Sequence, residues 1–288
     1  MSNGSVIPGK FLEVRVRELD PIPGLIGLCA GYEDGDWRCK QLAGHLIEWL
    51  PEFALHGREL VSVNPANMVA LLAKAAKAVY GDVDPEKRGE IGEILLHAAL
   101  RQVFNSIPAI SKIYFKDSDN DQVKGFDAVH VVVADNDDLE LWLGEVKFYK
   151  SISSAISDVV EELKTHTEKD YLRSEFTAIL NKIDDKWPHA KKLRDLIDRN
   201  KSLDVIFKSL CIPVYLTYES KTISDFDSAT KEFEEEFEKE VRNYHEIFSS
   251  KELPKNITIH LFLLPMGDKQ ELIFEFDERL ESCQKLTS

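Results

Sequence analysis

Four positions in one short stretch carry groups that could work together on a phosphate ester: Asp127, Glu145, Val146 and Lys147. Mg²⁺ is a hard ion that takes one or two carboxylates, keeps several waters and binds substrate phosphate oxygens. Asp127 and Glu145 are suitable carboxylates, and the backbone carbonyl of Val146 adds a further oxygen. A lysine beside such an ion can orient or deprotonate an attacking water and offset charge growing on the phosphorus, a role that suits Lys147. The residue types therefore point to a hydrolytic centre using Mg²⁺ or Mn²⁺.

Two β-strands must position these groups. Residues 126–133 and 139–149 read as strands joined by the polar turn at 134–138. With the turn centred between Asn136 and Asp137, antiparallel pairing sets Asp127 opposite Val146, flanked by Glu145 and Lys147. Alternation puts Glu145 and Lys147 on one face and Val146 on the other. A solvated hairpin with idle charges is the competing reading. Against it, Val129, Val131, Val132, Val133, Leu141, Trp142, Leu143 and Val146 form nearly continuous apolar runs, the mark of strands buried on both faces. Charges within such strands are costly unless paired or metal-bound.

The helix expected at 88–104 supplies a third acid. Its polar stripe is Glu90, Glu93, His97 and Arg101, while Ile91, Ile94, Leu95, Ala98 and Ala99 face the core. Glu93 is the preferred third acid, supporting the metal or its water, with Glu90 as its substitute; both acids also complement the helix N-terminus. His97, one turn past Glu93, is close enough to meet the substrate, but on a polar stripe the surface is the stronger expectation. Asp127, Glu145-Val146-Lys147 and the upstream Gly89-Glu90-Ile91-Gly92-Glu93 together resemble the PD-(D/E)xK nuclease superfamily. One departure is Phe126, which stands where the superfamily's name has proline. The resemblance implies an α/β (α+β) fold of the restriction-endonuclease type, with a mixed central sheet flanked by helices.

Composition limits the alternatives. The chain has 288 residues, 43% of them hydrophobic, which is ample for a core. No window approaches the roughly 18 apolar residues of a membrane span, and MSNGSVIPGK lacks a signal pattern, so a cytoplasmic protein is expected. Cys29, Cys39, Cys211 and Cys283 form no C-x-x-C pair, which argues against zinc and for free thiols in a reducing compartment. The net charge of -15 is awkward for a protein that grips nucleic acid, because phosphate contacts dominate such binding. Either a local basic patch or a partner must hold the substrate. Lys186, Lys191, Lys192, Arg194, Arg199 and Lys201 against Asp195 and Asp198 make one basic stretch, which a solvated helix would explain equally well.

Along the chain, residues 11–19 and 25–32 read as paired strands, 34–36 as a turn and 42–49 as a short helix. Residues 1–60 form an α+β lead-in, and 61–288 the nuclease-like domain with a helical insertion at about 166–210. Asn64 caps a helix with Pro65 at its first position, ending at Gly81. The first core strand is placed at 113–115 and a turn, rather than a calcium loop, at 117–121. Helices follow at 154–166 and 168–210, the latter interrupted at Trp187-Pro188. A strand at 212–218 precedes an acidic helix at 224–248, whose acidic face should repel DNA and suit a basic protein partner. A last strand at 257–264 and a helix at 268–286 close the chain.

The segments RGEIGE, KGFD, GEVKFY and HLFLLP, with the arrangement from about 81 to 280, resemble HamA, the effector family of the Hachiman anti-phage system; residues before about 62 match loosely. That resemblance implies a DNA-degrading nuclease controlled by a superfamily 2 helicase subunit, which would supply the grip on DNA. A catalytically silent docking subunit and an RNA-cleaving effector are the rival readings.

Overall fold

The computed structural model describes residues 7–20, 23–55, 57–79, 89–110, 125–134 and 137–287. Strand β1 (Glu13–Glu18) pairs antiparallel with the fully buried β2 (Gly24–Cys29), as the alternating pattern of the first strand predicts. A small hairpin follows, β3 (Tyr32–Glu33) and β4 (Asp36–Trp37), turning through Asp34 and Gly35 with φ of 53° and 87°. Asp-Gly in this left-handed conformation is the residue pair that such a turn demands.

Helix α1 (Cys39–Ala54) is twice as long as the expected 42–49, and Pro51 lies within it. Helix α2 (Gly57–Val61) precedes α3 (Met68–Val79), which starts three residues after Pro65. The Asn64 side chain accepts from Ala66 N–H at 2.9 Å, closing a local turn before the helix instead of capping it. Helix α4 (Glu90–Phe104) ends on Asn105, whose φ of 49° stops it with a left-handed cap.

Seven strands form the central sheet in the order β1-β2-β9-β8-β7-β6-β5, adding β5 (Ile107–Ile110), β6 (Ala128–Val133), β7 (Leu139–Phe148), β8 (Leu210–Glu219) and β9 (Thr258–Met266). The middle strands β2, β9, β8 and β7 run parallel, and the edges are antiparallel. This is the mixed sheet expected. Strand β5 was not anticipated, and the strand and turn placed at 113–115 and 117–121 lie outside the described residues.

Helices cover both faces of the sheet. Trp142, Val146 and Phe148 of β7 join the apolar cluster containing α1, α3, α4 and α11 (Lys269–Gln284), whereas Leu141 and Leu143 join the opposite one. That second cluster holds α5 (Ile152–His166), α6 (Lys169–Lys182), α7 (Ala190–Leu196), α8 (Leu203–Ile206) and α10 (Lys231–Ser249). The acidic stretch expected as one helix is two, α9 (Lys221–Asp225) and α10, because Ser220 and Thr230 each cap a fresh start through their hydroxyls. Two cations of the basic stretch are engaged within the chain. Lys192 bonds Asp137, and Arg194 bonds the carbonyls of Leu180 and Ile183 and the Asp185 carboxylate. All four cysteines are free thiols, and no helix among the described residues is long and apolar enough to cross a membrane.

Candidate active site

The β6–β7 ladder runs from Val133↔Leu139 to Ala128↔Gly144. Extending it by one pair sets Asp127 level with Glu145, not with Val146 as the sequence reading had it. The turn accounts for the difference: Val133 pairs with Leu139 and Ala134 N–H donates to Asp138 C=O at 2.9 Å, a closure half a residue away from the expected one. Asp137, with φ of 66°, takes up the reversal. A one-residue slip inverts every side chain of a strand. The ladder ends at Ala128↔Gly144, however, and beyond it Phe126 packs in the cluster opposite to that of Ala128, so alternation does not assign Asp127 a face; its carboxylate instead reaches the backbone of β7 at Val146.

At the end of the ladder, Asp127 N–H donates to Gly144 C=O at 2.8 Å, and Val146 N–H donates to Asp127 Oδ2 at 2.9 Å. One carboxylate oxygen is thus anchored to the strand that carries its two partners. Glu145 is only 2% exposed. Burial, with repulsion from Asp127 adding to it, pushes its carboxyl up to about 7 against the pull of His166. His166 Nδ1 lies against Glu145 Oε1, and Lys147 is ion-paired to Glu162. Burial lowers the pKa of His166, but its Glu145 contact prevails and leaves it raised.

Glu162 and His166 are the site residues that the sequence reading missed. They stand four apart on α5, on the rim of a helix whose Val159, Val160 and Leu163 are buried. The i, i+4 spacing was the available signal. It acquires meaning only once β7 is known to turn Glu145 and Lys147 toward α5.

Glu93, 9% exposed, comes in from the other side of the sheet. Its neighbour Gly92 packs directly on β7: a Cβ there would lie 2.9 Å from Phe148 Cβ and 3.2 Å from Val146 Cγ2. Glu93 and Asp127 line one small cleft with Glu52, His97 and His130, whereas Glu145 and Lys147 do not line it. Among the described residues, no group of three or more His, Cys, Asp or Glu side chains converges closely enough to hold a metal ion. The structure brings Asp127 and Glu145 together and sets Glu93 beside Asp127; it does not gather all three acids around one point.

The expectation for His97 is corrected. It is 3% exposed, with Nε2 3.1 Å from Glu52 Oε2 and Nδ1 3.2 Å from His130 Nε2. Arg101 donates to both Glu52 oxygens at 2.9 and 3.0 Å, and Ser106 Oγ lies 2.8 Å from His130 Nδ1. A polar stripe can be buried when every member finds a partner, and α1 supplies that partner through Glu52.

Compared with known families, residues 8–280 match the HamA family. The chain belongs to the HamA family. The HamA match spans every site residue discussed above, and it also takes in the N-terminal strands, where the sequence resemblance was loose. Anti-bacteriophage protein A of Escherichia coli (strain K12) is 22% identical over 251 residues, covering 85% of this chain and 45% of that protein. The chain spans about half the length of that curated relative.

Proposed function

We propose that this chain is a metal-dependent deoxyribonuclease acting in anti-phage defence, with its activity governed by a superfamily 2 helicase subunit. The observation that carries the reading is the Asp127 carboxylate accepting from Val146 N–H at 2.9 Å, between the buried Glu145 and Lys147 of the same strand. The name of the Escherichia coli relative supports the defence role.

The donor set fits a hard divalent cation. Both groups are carboxylates, and a buried acid held up at about 7 is one whose charge lacks full compensation, as a cation would provide. Asp127 and Glu145 would hold Mg²⁺ or Mn²⁺, the Val146 carbonyl would add an oxygen, and waters and phosphate would complete the shell, so two carboxylates suffice. Bound there, the ion would lower the pKa of a water and neutralise charge on the scissile phosphate. Glu93, across the cleft from Asp127, orients solvent at the site. Lys147 directs the attacking water and offsets charge developing on the phosphorus.

Supercoiled plasmid incubated with the chain and Mg²⁺, with and without the helicase, tests the reading. Cleavage should be present and should vanish in Asp127→Ala, Glu145→Ala and Lys147→Ala. Mg²⁺-dependent nicking retained by Lys147→Ala would remove that residue from the mechanism. A substrate panel including RNA sets the nucleic-acid class. The lack of a three-donor group among the described residues and the charge of -15 favour one second reading, a silent nuclease-fold docking subunit. It predicts no cleavage even when the helicase is bound.

A further inference from the structure

Glu145 is held from outside the hairpin, by a side chain that the motif does not contain. His166, the last residue of α5, sets Nδ1 against Glu145 Oε1. The imidazole is itself seated: its ring stacks on Tyr171 with centroids 4.4 Å apart and planes 15° apart, and it meets the Phe126 ring edge-on at 5.3 Å. Phe126 directly precedes Asp127, so one aromatic seat links the chain bearing the first carboxylate to the group that orients the second. Such a seat fixes the imidazole in one plane. With one Glu145 oxygen engaged by the N–H, the other keeps its lone pairs for a cation, since a carboxylate offers about four acceptor sites.

We propose that His166 is a positioning residue that presents Glu145 to the divalent cation; this rests on the metal-site reading above. Hydrogen bonds to ligating carboxylates fix their orientation, and losing one weakens metal affinity by about 10–100-fold. His166 acts through Glu145, not on substrate.

The test is Mn²⁺ binding by the full-length chain, followed by the loss of the free-ion electron paramagnetic resonance signal, with no nucleic acid present. His166→Phe keeps a ring on Tyr171 and removes the N–H donor. It should melt at a lower temperature, because the buried Glu145 loses its hydrogen bond, and the folded variant should bind Mn²⁺ about 10–100-fold more weakly. In His166→Asn, an amide nitrogen near the former Nδ1 position should recover part of that affinity, which a purely structural role would not require. Wild-type or tighter binding in His166→Phe overturns the proposal, because His166 would then merely balance the charge of Glu145. Absence of Mn²⁺ binding by the wild-type chain, with Glu145→Ala as the blank, would instead defeat the metal-site reading and this inference with it.

Discussion

A carboxylate removed from water is stable only where something offsets its charge, and Glu145 has little besides His166. Its raised pKa fixes the sign of a stability effect. The folded state holds the Glu145 proton up to about 7, against an ordinary 4.5, so stability falls as pH rises through that interval, by about 3 kcal/mol at full shift. Glu145→Gln removes the charge and keeps the shape. At pH 8, urea unfolding should find the ion-free variant at least as stable as wild type, while stabilisation by millimolar Mg²⁺ should be confined to wild type. A variant less stable than wild type by several kcal/mol would mean that the carboxylate is a structural group. Lys147 differs because its partner Glu162 is more than a third exposed, with 39% of its side chain open. Such a pair contributes about 0–1 kcal/mol, so Lys147→Ala should shift unfolding by no more than that while costing 100-fold or more in cleavage, on the order of a lost electrostatic contact to the transition state.

At the scale of elements, the closeness of α4 to β7 decides where Glu93 stands. Gly92 permits that approach, since an added Cβ would meet the Phe148 Cβ, which cannot swing aside, at 2.9 Å. Gly92→Ala should lift α4 from the sheet. The expected cost is about 1–3 kcal/mol of overpacking, offset by roughly 1 kcal/mol of helix propensity. Chemical denaturation should show a net loss, and cleavage should fall further than stability alone explains, because Glu93 moves with the helix. Unchanged stability would show that the helix slides freely on the sheet. The β6–β7 hairpin is the second controlling element: its register brings Asp127 to the end of the ladder, where its carboxylate meets Val146 N–H.

For the whole molecule, two buried groups give opposite pH slopes. His260 is 9% exposed, stacked on Phe104 at 5.5 Å, and held down to about 4 by burial and by the charge of Arg17. Its contribution to stability is present above the ordinary 6.5 and is lost as pH falls from there toward 4, by about 3 kcal/mol. Glu145 runs the other way between 4.5 and 7. Burial also holds His130 down, so relative to wild type His260→Asn should lose less stability as pH falls toward 4, and Glu145→Gln should lose less as pH rises toward 7. Denaturant midpoints at several pH values check both slopes, and parallel profiles for all three proteins would contradict the assignment. The charge of -15 has its own consequence. With Lys192 and Arg194 engaged by the chain itself, DNA binding by a complex with the proposed helicase subunit should depend on salt much more steeply than binding by this chain alone.

The sequence by itself determined the strands around Asp127 and Glu145, the helix of Glu93, the capped start of α5 and the mixed α/β class, because those features are local: apolar runs, capping hydroxyls and turn residues act over a few positions. It also carried the family, through residue types at fixed spacing. It misjudged what depends on partners distant in the chain. A helical wheel cannot reveal that α1 will bring Glu52 against His97 and Arg101, so a buried polar stripe looked like surface. Half a residue in the turn centre separated the expected register from the real one, and only the closed ladder decided it. Glu162 and His166 became site residues once the sheet turned Glu145 and Lys147 toward α5, since burial and ion pairing are properties of the assembled layers.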